Sequence, residues 1–177
     1  MAITKIETVT LGSDSASITF SSIPQTYTDL MIVLSVRTSN TEFGQSVRVR
    51  PNGSTTNGSE RVLRAFNGSS VSSYTDAYAA ITDNQLGSGA TANTFGSAQL
   101  YIPNYTSTTA NKSMSSEGVS ETNAAGGRLD IIASLWASTA AITSIVLDNS
   151  NGYNLNTGTS ATLYGILKGS SGGVTVS

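Results

Sequence analysis

Leu30-Met31-Ile32-Val33-Leu34-Ser35-Val36 is the stretch on which the fold turns. It is rich in β-branched and large aliphatic residues, too short for a helix of ordinary length, and apolar on both alternating faces over its first half. Those properties predict a central strand covered on both sides. Before it, Ala16, Ile18 and Phe20 alternate with Ser17 and Thr19, and a turn at Ile23-Pro24-Gln25 separates the two. After it comes Val47-Arg48-Val49-Arg50, a clean one-face-in, one-face-out alternation, and then Arg61-Val62-Leu63-Arg64-Ala65-Phe66. Gln99-Leu100-Tyr101-Ile102 runs into Pro103, which has no N–H to donate and should end the ladder. Residues 129–136 and 142–147 form a late pair of strands, and Ala161-Thr162-Leu163-Tyr164-Gly165-Ile166-Leu167 is the last strong one. With 3–11 and a weaker 113–122, about ten strands recur at short spacing. That pattern predicts an all-β chain folded as an antiparallel sandwich or barrel of about 8–10 strands.

Turn chemistry agrees. Asn-Gly occurs at Asn52-Gly53, Asn57-Gly58, Asn67-Gly68 and Asn151-Gly152, and both residue types tolerate the positive φ of type I′ turns. The last of these is expected to close a hairpin or a short loop. Residues 71–86 fit either a short helix or an excursion over one end of the sandwich. Residues 1–168 read as one domain, and 169–177, which begin Gly-Ser-Ser-Gly-Gly, as a flexible tail.

Composition narrows the chemistry. The chain has 177 residues, no cysteine and no histidine, so thiol nucleophiles, disulfides, Cys/His zinc sites and His-based triads are excluded. Only 11% of residues are charged and the formal charge is −2, whereas 29 Ser and 24 Thr supply a neutral hydroxyl surface. A near-neutral chain lacks the basic field that nucleic-acid binding requires. No apolar run is long enough for a helical membrane span. The N-terminal residues lack the pattern of a signal peptide, which predicts synthesis and use without export.

Candidate sites are few. Arg48, Arg50, Arg61 and Arg64 fall within 17 residues. If the two arginine segments pair as a hairpin they form a basic stripe suited to an acidic protein surface, with Glu42 and Glu60 as the compensating charges if it is merely solvated. Tyr74, Tyr78, Tyr105 and Tyr153 lie in loop-like stretches and could present rings to a sugar, whereas Tyr101 and Trp136 are expected to pack against the sandwich. The oxygen-rich run from Asp148 to Asn154 misses the calcium-loop pattern, with Gly one position early and Thr159 where a bidentate Glu belongs, and reads as a polar turn. For catalysis, Lys5, Lys112 and Lys168 sit in polar or terminal contexts with no burial expected to activate them, and no catalytic, metal or cofactor residues are assigned.

Two stretches carry a family resemblance. Ser22-Ile23-Pro24-Gln25-Thr26-Tyr27-Thr28-Asp29-Leu30-Met31-Ile32-Val33-Leu34-Ser35-Val36-Arg37 and Gly158-Thr159-Ser160-Ala161-Thr162-Leu163-Tyr164-Gly165-Ile166 resemble small virion structural proteins of tailed bacteriophages, particularly those of marine and cyanobacterial hosts. The resemblance implies a jelly-roll-like sandwich with no enzymatic activity, working as a capsid decoration (cement) protein on the outer surface of the shell after assembly in the host cytoplasm. The partners it implies are the major capsid protein and further copies of the chain, with a homotrimer expected. The arginine face or the N-terminal segment would contact the shell. The alternatives are a head-fibre or tail-tip protein that recognises host glycans through the tyrosine loops, and a carbohydrate-binding module.

Overall fold

A computed structural model describes residues 2–41, 45–68, 70–122 and 126–168. Among these residues, twelve strands run in chain order: β1 Ala2–Thr10, β2 Ser17–Phe20, β3 Asp29–Val36, β4 Gln45–Pro51, β5 Gly58–Phe66, β6 Ser70–Asp76, β7 Ala80–Gln85, β8 Gly96–Pro103, β9 Lys112–Glu121, β10 Gly127–Trp136, β11 Ile145–Asn149 and β12 Ser160–Leu167. No helix is found among the described residues. The strands form two antiparallel sheets, an eight-stranded one ordered β1-β12-β3-β8-β9-β10-β5-β6 and a four-stranded one ordered β2-β11-β4-β7. The fold is an all-β sandwich.

Within that order lies a jelly roll. The quartets β1-β12-β3-β8 and β2-β11-β4-β7 are the two facing sheets of a double Greek key, and the chain changes sheet at every connection except β5 to β6, β8 to β9 and β9 to β10. The remaining four strands are additions. The β5–β6 hairpin comes from the connection between β4 and β7, and β9–β10 from the connection between β8 and β11. Together they widen one sheet.

The alternating strands explain the core. Leu30, Ile32 and Leu34 of β3, Leu100 and Ile102 of β8 and Leu163 of β12 face Phe20, Ile18, Val47, Val49, Ile81 and Leu147 from the small sheet, all buried in one cluster. β3 pairs with β12 on one side and β8 on the other, as a central strand should. It is not covered on both sides, however: Val33, on its outward face, is 40% exposed.

Several expectations need correction. The segment 71–86 holds β6 and β7 rather than a helix. The weak 113–122 segment is a ten-residue strand, β9. The late pair does not pair: β10 lies in the large sheet and β11 in the small one. Asn151-Gly152 does not close a hairpin either, because β11 and β12 belong to different sheets. Asn67-Gly68 does join a hairpin, β5 to β6, with φ of 51° and 63°. Glu42 and the 169–177 segment lie outside the described residues.

Candidate interaction surface

The four arginines do not form a stripe. β4 pairs with β11 and β7, while β5 pairs with β10 and β6, so the two arginine segments belong to opposite sheets. Alternation places Arg48 and Arg50 on the outward face of β4, where both close on one carboxylate. Arg48 donates from Nε and Nη2 to the two oxygens of Asp148 at 2.9 Å, and Arg50 donates from Nη1 to Oδ2 at 2.7 Å. Arg50 Nη2 also donates to the Gly53 carbonyl at 2.7 Å. Asp148 is thus held by two guanidinium groups, which explains its place in the polar 148–154 run. Its neighbour Asn149 accepts the Asn151 N–H at 2.8 Å in a side-chain-closed turn.

Arg64 points inward from β5. It donates from Nε to the fully buried Asp130 at 3.1 Å and from Nη2 to the Tyr74 hydroxyl, with its guanidinium 4.8 Å from the Tyr74 ring centre. Arg61 alone of the four is exposed, on the outward face of β5.

The tyrosines likewise fail to gather. Tyr105 is fully buried in the main core, where its hydroxyl donates to the Pro24 carbonyl, and burial raises its pKa. Tyr74 and Tyr78 are half-buried against Val62, Ala80 and Ile132. The Tyr78 hydroxyl also sits 3.0 Å from Ser46 Oγ. Only Tyr153 is exposed. Trp136 packs in the core as expected, but Tyr101 turns to the outward face of β8. There its hydroxyl donates to Asp29 Oδ2 at 2.6 Å, while the Asn104 N–H donates to Oδ1 at 3.0 Å and Lys168 Nζ lies 3.3 Å away. Burial alone would raise the Asp29 carboxyl; the hydrogen bonds and the Lys168 charge bring it below its ordinary value. The hydrogen bond to Asp29, assisted by burial, pushes the Tyr101 phenol up to about 12.

Two further cations, neither anticipated, act as internal clamps. Lys112 is buried, contrary to expectation, and its Nζ donates to the carbonyls of Ser107 and Ala110 at 2.8 Å, Thr139 at 3.2 Å and Ser138 at 3.4 Å. Desolvation lowers its pKa. The Lys112 side chain thereby joins the loop before β9 to the loop after β10. Arg37 does the same for the 88–94 loop, donating to the carbonyls of Thr91 and Thr94 at 2.8 Å, Ala90 at 3.0 Å and Ser88 at 3.2 Å. No group of three or more metal-ligating side chains occurs among the described residues.

Among the outward residues of the large sheet is a set of aliphatic side chains. Val33, Leu63, Val71, Val119, Leu129 and Ile131 are exposed, from 40% for Val33 to 72% for Val71, and all six lie on the outer face of the large sheet. Five of them stand on the added strands. The register aligns them in two cross-strand rows: Val119, Leu129, Ala65 and Val71 in one, and Glu117, Ile131 and Leu63 in the other, with Gln99 and Val33 continuing it. A shallow groove of about 640 Å³ runs beside Val119, Leu129 and Ala65. Two smaller ones follow Val33 and Val119, and Met31 and Ile131. Sequence alternation locates these residues on strands. It does not say which alternating face remains uncovered, so the surface was not among the expected sites.

Comparison with protein-family models, with curated proteins and with solved structures found no match to this chain.

Proposed function

We propose that this chain is a non-enzymatic virion structural protein of a tailed bacteriophage, a capsid decoration protein that binds the outer surface of the assembled shell and stabilises it. The observation that carries the reading is the division of its polar and apolar groups. The described ionic clusters at Asp148, Asp130, Arg37 and Lys112 close on groups of the same chain and lock strands and loops together. Six exposed aliphatic side chains gather on the outer face of the large sheet, among the neutral, hydroxyl-rich groups of the surface. That is the economy of a subunit made to assemble. The resemblance of the β3 and β12 segments to phage virion proteins supplies the setting.

Decoration works by mass action: a protein that binds the intact expanded shell better than its free subunits shifts the equilibrium toward the particle. The major capsid protein is the partner. The exposed edge strand β1 and the outward face of the small sheet are the surfaces offered to it. The test is co-sedimentation with expanded and unexpanded shells of the phage that encodes the chain. Saturable binding to expanded shells, with a higher shell melting temperature, is expected; no binding to either form overturns the reading. Replacing Arg48 and Arg50 by Ala, in protein verified as folded, decides the arginine contact, and unchanged occupancy removes it.

A further inference from the structure

We infer that the outer face of the large sheet is covered by a second copy of this chain, the two sheets packing face to face about a two-fold axis that runs along β10. The inference rests on reading this chain as an assembling subunit, and it names the occupant of its apolar face.

The first argument is extent. Five strands, β8, β9, β10, β5 and β6, lie opposite a strand of the copy about this axis, and Val33 on β3 lies beyond the copy's edge. At a spacing of about 4.8 Å and some 25 Å long, the five offer roughly 600 Å². Standard stable interfaces take about 600–1,000 Å² from each partner, so the face reaches the lower end of that range.

The second argument is self-complementarity. A two-fold axis along β10 opposes Ile131 and Leu129 to their own copies and sets β9 of one copy across from β5 of the other. Val119 on β9 then meets Ala65 on β5. Glu117 on β9 meets Leu63, with Arg61 one cross-strand row away, within reach of a long side chain. Glu117, which accepts a hydrogen bond from Gln99, and Arg61 are brought within reach of each other by the same operation that stacks the apolar rows, while Glu121, the other outward carboxylate of β9, lies nearer the strand's end. The net charge of −2 adds little repulsion between copies.

The third argument is construction. The jelly-roll quartets close the core without β5, β6, β9 and β10, yet these strands carry five of the eight large aliphatic side chains exposed among the described residues, the others being Ile3, Val33 and Leu167. Two copies satisfy this face, rather than the three expected from the resemblance.

The chain has no cysteine, so the test is clean. Light scattering of the purified full chain should give twice its 18.2 kDa mass, and Ile131→Lys should halve that value while leaving unchanged the thermal melt taken at dilution, where both proteins are dissociated, because the side chain it replaces is outside the core. Ile131→Cys should form an intermolecular disulfide under mild oxidation, whereas Thr19→Cys, on the exposed face of the small sheet, should not. A monomer or trimer in solution, an Ile131→Lys variant that keeps the dimer mass, or cross-linking no greater at 131 than at 19 overturns the inference. Shell binding separates it from the functional proposal: a dimer that ignores shells leaves this inference standing and sinks that reading, and a monomer that decorates shells does the reverse.

Discussion

The ring of Tyr27, in the loop between β2 and β3, lies flat against the backbone of Gly165 in β12, so that a Cβ built on Gly165 would sit 2.6 Å from Cδ1 and closer still to Cγ and Cδ2. These residues belong to the two stretches whose sequence carried the family resemblance, and the contact joins them at one end of the sandwich. Glycine is required there for space, since its φ is not in the left-handed region. Gly165→Ala should therefore cost about 1–3 kcal/mol by forcing the ring or the strand aside. Gly12→Ala, where a Cβ meets nothing within 4 Å, should change little. Urea unfolding measures both, and Tyr27→Ala in the Gly165→Ala background should recover part of the loss. A cost that persists in full without the ring would refute the steric explanation.

The Lys112 ammonium shares its three N–H groups among four backbone carbonyls. Lys112→Met keeps the aliphatic stem but leaves those carbonyls without a donor, at an expected cost of about 2–3 kcal/mol. Hydrogen exchange should locate the damage in residues 104–111 and 137–141, which the clamp joins, before the β3–β12 centre. Uniform loss of protection would argue against a local clamp.

The arginines separate into structural and surface classes. Asp148→Ala releases both Arg48 and Arg50 from a carboxylate that is mostly buried, and should cost about 1–3 kcal/mol. Arg61→Ala, on an exposed face, should stay within about 0.5 kcal/mol in the dissociated chain. Thermal melts at dilute concentration distinguish them; equal effects would mean that the Asp148 cluster contributes nothing special.

Most of the architecture was legible because strands declare themselves through period-2 alternation, as β2, β4, β8 and β12 do, or through a short continuous aliphatic run, as β3 does. What was hidden has physical causes. β9 reads weakly because Ser116, Gly118 and Ser120 occupy inward positions normally filled by aliphatics. They must be small, as a Cβ on Gly118 would sit 2.8 Å from the Thr82 Cβ of β7. The Ser116 and Ser134 hydroxyls satisfy the Ala80 carbonyl in that close layer. The arginine stripe failed for a different reason: alternation within a strand is local, whereas the choice of sheet is set by crossovers that no local pattern encodes. Lys112 was misjudged because its carbonyl partners come from the backbone, which leaves no signature in side-chain composition.

The Asp29–Tyr101 hydrogen bond makes a prediction at each end of the pH scale. The Tyr101 phenol is raised to about 12 from an ordinary value of 10.0, so the folded state holds its proton where the unfolded chain releases it. Its contribution to stability is full below pH 10 and is lost as pH rises through about 12. Asp29 is lowered from 3.8, so its contribution is full above that value and is lost as pH falls through the lower folded pKa. Ultraviolet titration of phenolate should show a late-ionising tyrosine that disappears in Tyr101→Phe and shifts back toward 10 in Asp29→Asn, while Tyr105, delayed by burial in the core, is left as it was. If Asp29→Asn leaves the late phenol in place, the carboxylate is not its cause.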